Sequence, residues 1–386
     1  MKKKKVVIQF VEAGMGHIVT AEAIAECLEK KYSDKLEIIR DYVFRDSQDP
    51  DLINYEKFSI NEVRKANKNK FHLRLQLLMM KIFGARFTLK LSYSTVFKKV
   101  RNKLIKHMAS QNADMFISTY FMTLHSGVVG KSKKKLNATI VAYNPDHNTH
   151  GWWDKKADLF ITNNPNATTE AIKIRKMSPD NVATVNFIAR QIVLDTNESK
   201  AYYRKKYNIP SSKLVVVIAD GAYAAARLEE YTDALIQSNK EFTLIPICGK
   251  NEKLYQKYCD LKDKTKSNIT LIPMPFIAEA PELYKAADVF VTKAGPNAIT
   301  DCVFMETPIL TNFYSGEIEK TSNTLFTETY KCGVYEPNTK KAVELLEKWT
   351  IDRTELNEFA KNTTVLNKHK NGAEEIADII ANKLLN

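Results

Sequence analysis

The chain has 386 residues, 44% of them hydrophobic, with 58 Lys and Arg against 45 Asp and Glu and a formal net charge of +13. That length predicts two domains, and no run of about 20 apolar residues is present to form a transmembrane helix. Cys27, Cys248, Cys259, Cys302 and Cys332 form no CxxC pair and read as reduced, cytosolic core residues, not as disulfides or metal ligands.

The N-terminus MKKKKVVIQFVEAG is not a signal peptide, because its apolar run is short and Glu12 follows at once. Val6 to Val11 is a strand, Glu12 to His17 a turn containing Gly14 and Gly16, and Ile18 to Lys30 a helix with Ala21, Ile24, Ala25 and Leu28 on one face. His17-Ile18-Val19 after Gly16 breaks a GxGxxG match, so a dinucleotide site is not expected. Leu36 to Val43 is a second strand.

A basic segment follows. Lys57 to Lys106 holds fourteen Lys and Arg against one acid, Glu62, so the net charge resides there. Such a patch implies a polyanionic partner. Leu75, Leu78, Met79 and Ile82 fit one helical face, while Phe87, Leu89 and Leu91 alternate. Apolar residues interleaved with cations suit a helix lying in an anionic lipid interface, and equally a core helix with a solvated basic face. No RNA- or DNA-reading motif accompanies the charge, so nucleic acid is not the expected partner.

Asp114 to Ser118 and Thr139 to Ala142 are strands. The second leads into Tyr143-Asn144-Pro145-Asp146-His147-Asn148-Thr149-His150-Gly151-Trp152-Trp153. An Asp at the carboxyl end of a strand can act as a base or orient a His, and the two Trp can pack a glycerol or a sugar face. Three zinc ligands within five loop residues would be a nonstandard spacing. Asp158 to Thr162, a helix over Pro165 to Lys173, and Val182 to Val185 complete a first sheet. A linker is expected between Asn186 and Ser199, before the basic helix AYYRKKY.

A second sheet begins at Leu214 to Ala219 and continues through Phe242 to Cys248 and Ile269 to Met274. Val289 to Val291 is a buried parallel strand, followed by the turn Lys293-Ala294-Gly295-Pro296-Asn297. Pro296 suits a first helical position. A glycine and a helix N-terminus at the end of a strand favour a phosphate. Asp301, about one turn further in, can accept hydrogen bonds from ribose hydroxyls; an ordinary βα turn with a solvated Asp fits the spacing as well. Ile309-Leu310 starts another strand, the stretch Asn312 to Asn323 follows it, and the remainder to Asn386 reads as helical.

The stretch VTKAGPNAITDCVFMETPIL resembles the donor-binding signature of GT-B glycosyltransferases that make glycolipids, roughly TKAGPGTIAEA…GLPIIL. These are the monogalactosyldiacylglycerol synthases and bacterial diacylglycerol glucosyltransferases; the enzyme adding GlcNAc to lipid I is a more distant relative. Asn297 replaces a Gly of that pattern, and Asp301 replaces the Glu that binds the ribose of a UDP-sugar. GxGH at Gly14, Gly16 and His17 resembles the family's first loop, whose His faces the sugar–phosphate junction. Asp146…His150…Trp153 resembles TDxxxHxxW, with Pro145 in place of the Thr. ICGKN at 247–251 resembles ICGxN. Gly221 stands where the family carries a longer glycine-rich loop, with Arg227 beyond it. Phe276 and Ile277 fall on the uracil side. Gly316, Glu317 and Glu319 fall where the family has PGQE, with Glu317 in place of Gln.

The resemblance implies an α/β GT-B fold: two Rossmann-like domains facing across a cleft. Residues 1–187 would take the acceptor and meet the membrane, residues 200–372 would bind the nucleotide sugar, and 373–386 would form a helix packing back on the first domain. Leu75, Leu78, Met79, Ile82, Phe83, Gly14, Gly16, His150, Trp152 and Trp153 are the acceptor and membrane candidates. Gly221, Phe276, Lys293, Gly295, Pro296, Asn297, Asp301, Gly316, Glu317 and Glu319 are the donor candidates. The implied reaction is inverting transfer of a hexose from a UDP-sugar to a diacylglycerol-like lipid, peripheral on the cytoplasmic face of an anionic membrane. His17 and Asp146 are alternative bases. The helix start replaces a metal at the diphosphate, so no cofactor and no obligatory metal is expected. Alternatives are a different acceptor, soluble or lipid I, and a catalytically lapsed UDP-sugar binder.

Overall fold

The computed structural model describes residues 2–12, 15–58, 95, 97–221, 227–314, 317–367 and 371–385. The chain divides into two compact units, residues 1–188 with 370–386, and residues 189–369.

The first unit is built on a parallel sheet of six strands. These are β1 (Lys4–Phe10), β2 (Leu36–Tyr42), β3 (Met115–Ser118), β4 (Thr139–Tyr143), β5 (Leu159–Thr162) and β6 (Val182–Thr184), in the order β2-β1-β3-β4-β5-β6. Val6, Val7 and Ile8 are fully buried in succession, because helices cover both faces and leave no wet side to alternate toward. On one face α1 (Met15–Tyr32) presents Ala21, Ile24, Ala25 and Leu28 to Ile376, Ala377 and Ile380 of the chain's last helix, Gly372–Leu385. Lys31 Nζ and Tyr32 Oη hold Asp378 of that helix at 3.0 and 2.8 Å. On the other face α2 (Lys98–Ser110) and α3 (Phe121–Ser132) supply Met108, Leu124 and Val128 to a core with Phe116, Ile140 and Phe160. Each such buried side chain contributes about 1.5–3 kcal/mol relative to exposure.

The second unit repeats the plan. Strands β7 (Leu214–Ala219), β8 (Phe242–Pro246), β9 (Ile269–Leu271), β10 (Val289–Lys293), β11 (Ile309–Phe313) and β12 (Gly333–Tyr335) pair in parallel in the order β12-β11-β10-β7-β8-β9. Trp349, Tyr231 and Tyr258 pack over Val216, Leu244 and Val291.

Two local expectations need correction. The region after Asn323 is not wholly helical, because β12 closes the sheet edge. Three residues are too few to show a period, but Gly333 is diagnostic: a Cβ there would meet the Ile309 carbonyl oxygen at 1.8 Å. The helix expected over 165–173 is α-helical only over Pro165–Thr169 and then widens into a π-turn, Glu170–Ile174. The wide turn presents Glu170 to the Thr149 N–H at 2.7 Å, and Arg175 Nε reaches the Thr149 carbonyl at 2.7 Å. Among the described residues, no helix is long and apolar enough to cross a membrane. All five cysteines are free.

Candidate active site

In the first unit the chemistry gathers at the carboxyl ends of β1, β3 and β4. His17 lies in the first turn of α1, and its Nδ1 is 2.7 Å from the Thr119 carbonyl, just beyond β3. A carbonyl only accepts, so Nδ1 carries the proton and Nε2 keeps its lone pair. Burial holds the His17 pKa below its ordinary value, against the opposing pull of the Asp146 charge and the Thr119 bond. The ring is therefore neutral near pH 7, with Nε2 able to take a proton.

Asp146 follows β4. Its Oδ2 is 3.3 Å from His150 Nε2. The Trp152 backbone N–H donates to His150 Nδ1 at 3.3 Å, so the proton of a neutral His150 sits on Nε2, facing the carboxylate. Burial pushes the Asp146 pKa up, but the His150 bond and the charges of His150, His17 and His147 outweigh it and leave the group below its ordinary value. Asp146 is thus ionised and a weak base beside His17. His147 is buried and held neutral, its pKa pushed down to about 4 by desolvation.

The loop carrying Asp146 is fixed by amides. Asn144 Oδ1 accepts from the Asp146 N–H at 3.1 Å, and Asn144 Nδ2 donates to the Asn148 carbonyl at 2.7 Å. Asn163 and Asn164, at the end of β5, donate to the carbonyls of Pro145 and His147 at 3.2 and 3.1 Å. Asn164 Oδ1 also caps the following helix through the Ala167 N–H. Trp153 is 2% exposed and stacks on His150, with ring centroids 5.6 Å apart; Trp152 packs on Phe121 at 4.9 Å. The result is an aromatic wall against the His–Asp pair.

In the second unit, β10 ends at a register shift between Thr292 and Lys293 and leads through Gly295 into α4 (Pro296–Phe304). Gly295 caps that helix without a side chain, and the first-turn N–H groups of Asn297 and Ala298 have no intrahelical acceptor. Lys293 Nζ lies 2.7 Å from Glu319 Oε1. The Lys293 and Arg227 N–H groups donate to Asp220 at 3.0 and 2.6 Å. Gly221 beside it has φ +75°, in the left-handed region. Asp301 is buried and forms an ion pair with Arg190, its pKa raised by burial against that pairing. Phe276 is 56% exposed, with Lys250 Nζ 5.7 Å from its ring centroid.

Sequence reasoning picked His17, Asp146, His150, Trp152 and Trp153, and the fold brings them together, with Gly16 in the same helix start. Lys293, Gly295, Pro296, Asn297, Asp301 and Glu319 share the second unit's turn, with Gly221 on its neighbour β7. Gly14, Leu75, Leu78, Met79, Ile82, Phe83, Gly316 and the Glu317 side chain lie outside the described residues. Arg190 and Thr119 went unread, and Asn163 and Asn164, within the family-like stretch DLFITNNPNATTEAI, were given no role. The Asn-Asn pair directly after a strand was the available signal for two of them; Arg190 and Thr119 offered none. Among the described residues, no three of His, Cys, Asp and Glu stand together as metal ligands.

Two parallel six-stranded Rossmann-type units in one chain are the GT-B architecture, and the chain's family matches make it a glycosyltransferase. Within that class the chain is similar to the monogalactosyldiacylglycerol synthases and diacylglycerol glucosyltransferases. Residues 17–185 match the monogalactosyldiacylglycerol (MGDG) synthase family, and residues 215–379 the glycosyltransferase family 28 C-terminal domain. The processive diacylglycerol beta-glucosyltransferase of Bacillus licheniformis is 21% identical over 98% of this chain and 94% of its own. The probable chloroplastic monogalactosyldiacylglycerol synthase of Nicotiana tabacum is 21% identical over 90% of this chain and 64% of its own. Among solved structures, MurG of Acinetobacter baumannii has a TM-score of 0.66 at 13% identity, covering 99% of this chain and 100% of that one.

Proposed function

We propose that the chain transfers a hexose from a UDP-sugar to the hydroxyl of a diacylglycerol-type lipid, with inversion at the anomeric carbon. The observation that carries this reading is the tautomer of His17: its proton is committed to Thr119, so Nε2 is the acceptor, beside an ionised Asp146. The acceptor O–H gives its proton to Nε2 as its oxygen bonds to the anomeric carbon. The bond from that carbon to the diphosphate oxygen breaks, and UDP leaves. Asp146 stabilises the imidazolium formed, and its own bond to His150 keeps it from competing as the base.

The N–H groups at the start of α4 and the helix dipole stabilise the leaving diphosphate. Asp301 serves the ribose and Glu319 the sugar; both carry counter-charges from Arg190 and Lys293, which ligand hydroxyls would share or displace. The family match and Trp152, which packs on Phe121, support a lipid acceptor; Trp153 lies buried in the core beneath it. The basic segment 57–106 supports docking on the anionic, cytoplasmic face of a membrane.

The test is UDP release from UDP-glucose, UDP-galactose and UDP-GlcNAc, with anionic vesicles containing diacylglycerol and with neutral vesicles. The reading expects one donor to turn over, to require diacylglycerol, and to do better on anionic vesicles. A second reading is favoured by the same self-paired charges: a UDP-sugar binder without transfer. Saturable UDP binding with no turnover on any lipid would select it.

A further inference from the structure

Gln9, Asp41 and Ser118 stand level in three adjacent strands of the first unit, Gln9 being the register partner of both others. All three are buried, at 0%, 1% and 0% exposure. A buried carboxylate is costly unless paired. Asp41 takes Gln9 Nε2–H on Oδ2 at 3.0 Å, and its Oδ1 is 2.9 Å from His107 Nε2 on α2. Gln9 Oε1 receives the Ser118 hydroxyl at 3.4 Å. The Gln9 carbonyl receives the Thr119 N–H at 3.1 Å and the Thr119 hydroxyl at 3.3 Å. The same Thr119 hydroxyl lies 3.2 Å from the His17 carbonyl, and the Thr119 carbonyl takes the His17 Nδ1–H. The side chain and backbone of Gln9 thus link two imidazoles across three strands.

We infer that Asp41 and His107 are positioning residues for His17: their pair fixes Gln9, Gln9 fixes the Thr119 peptide, and that peptide's carbonyl sets the orientation and tautomer of the ring. This rests on the reading of His17 as the base. Such outer partners of a reacting His commonly fix its tautomer in just this way. The groups facing His107 are Asp41 from β2, Asp46 from the turn after it, and Gln111 on its own helix; Lys5 Nζ reaches the Gln111 carbonyl at 3.4 Å. Burial pulls the His107 pKa down, but the bond and charge of Asp41, with the charge of Asp46, leave it raised, whereas His17 is lowered. The two rings therefore titrate in separate ranges, and one can be watched while the other changes charge.

The experiment is a pH titration of the histidine ring resonances of the full chain by NMR, with steady-state kinetics alongside. In the unsubstituted protein the His17 resonances should show their own inflection and a second, smaller one where His107 loses its proton. His107→Leu should remove the second, shift the first, and lower kcat about fivefold with donor KM unchanged. His107→Gln, which can still donate to Asp41, should recover most of that kcat. A single His17 inflection in the unsubstituted chain overturns the inference, and so does His107→Leu with an unchanged His17 titration, whatever its kcat. The titration needs no turnover. Coupling in a chain that moves no sugar supports the pair and overturns the transferase reading; turnover without coupling overturns the pair alone.

Discussion

The loop 144–153 of the first unit and the turn 293–301 of the second are both strand-to-helix connections, yet they are held differently. The first is fixed through its backbone: Asn144, Asn163 and Asn164 hold the Asp146 N–H and the carbonyls of Asn148, Pro145 and His147, Glu170 and Arg175 hold the Thr149 peptide, and Asp146 is paired with His150 of the same loop. The second is held by charge against charge, Lys293 with Glu319 and Asp301 with Arg190. A base must be preorganised before the acceptor arrives, because reorganisation would be added to the barrier. A donor site can hold internal counter-charges that a bound ligand replaces, at a cost in affinity but not in rate.

That contrast can be broken most directly at His17. His17→Ala should lower kcat about a thousandfold and leave UDP affinity unchanged, read by initial rates and by calorimetry with UDP. Equal losses in both would erase the distinction between the two regions. Next in size, Asp301→Ala and Arg190→Ala should each weaken UDP binding about tenfold, roughly 1.4 kcal/mol. The double variant should lose little more than either single one, because the two groups act as a pair.

The pH dependence sharpens the first region. A base works only unprotonated, so kcat should fall as pH drops through the His17 pKa, with a midpoint below the ordinary 6.5 because burial disfavours the imidazolium. Asp146→Asn removes a charge that raises that pKa, so the limb should move to still lower pH while the plateau falls roughly tenfold. A limb moving upward would contradict the assigned roles. The smallest effect is on stability. Asn164→Ala loses a helix cap worth about 1 kcal/mol and the anchor of the His147 carbonyl, which urea unfolding measures.

Much of the fold was legible because parallel strands buried on both faces are short apolar runs: Val289 to Val291 and Leu214 to Ala219 announce themselves. The turn into α4 was legible because Gly295 and Pro296 carry local conformational meaning. What stayed hidden was long-range. Arg190 meets Asp301 across 111 positions and His17 meets Thr119 across 102, and no local pattern encodes either. His107 and Asp41 carry no local signal, and only the sheet register that aligns Asp41 with Gln9 connects them. The Asp146…His150…Trp153 spacing was visible, but the roles of its members were not. Only the bonds from Thr119 and Trp152 fix which ring nitrogen carries each proton.

The most direct test of the central claim is the anomeric configuration of the lipid product, read by proton NMR from the H1–H2 coupling after reaction with the α-linked UDP-sugar that turns over. A direct attack assisted by His17 predicts a β-linked hexose on the lipid hydroxyl, lost in His17→Ala. An α-linked product, or β-product formed undiminished by His17→Ala, would contradict it.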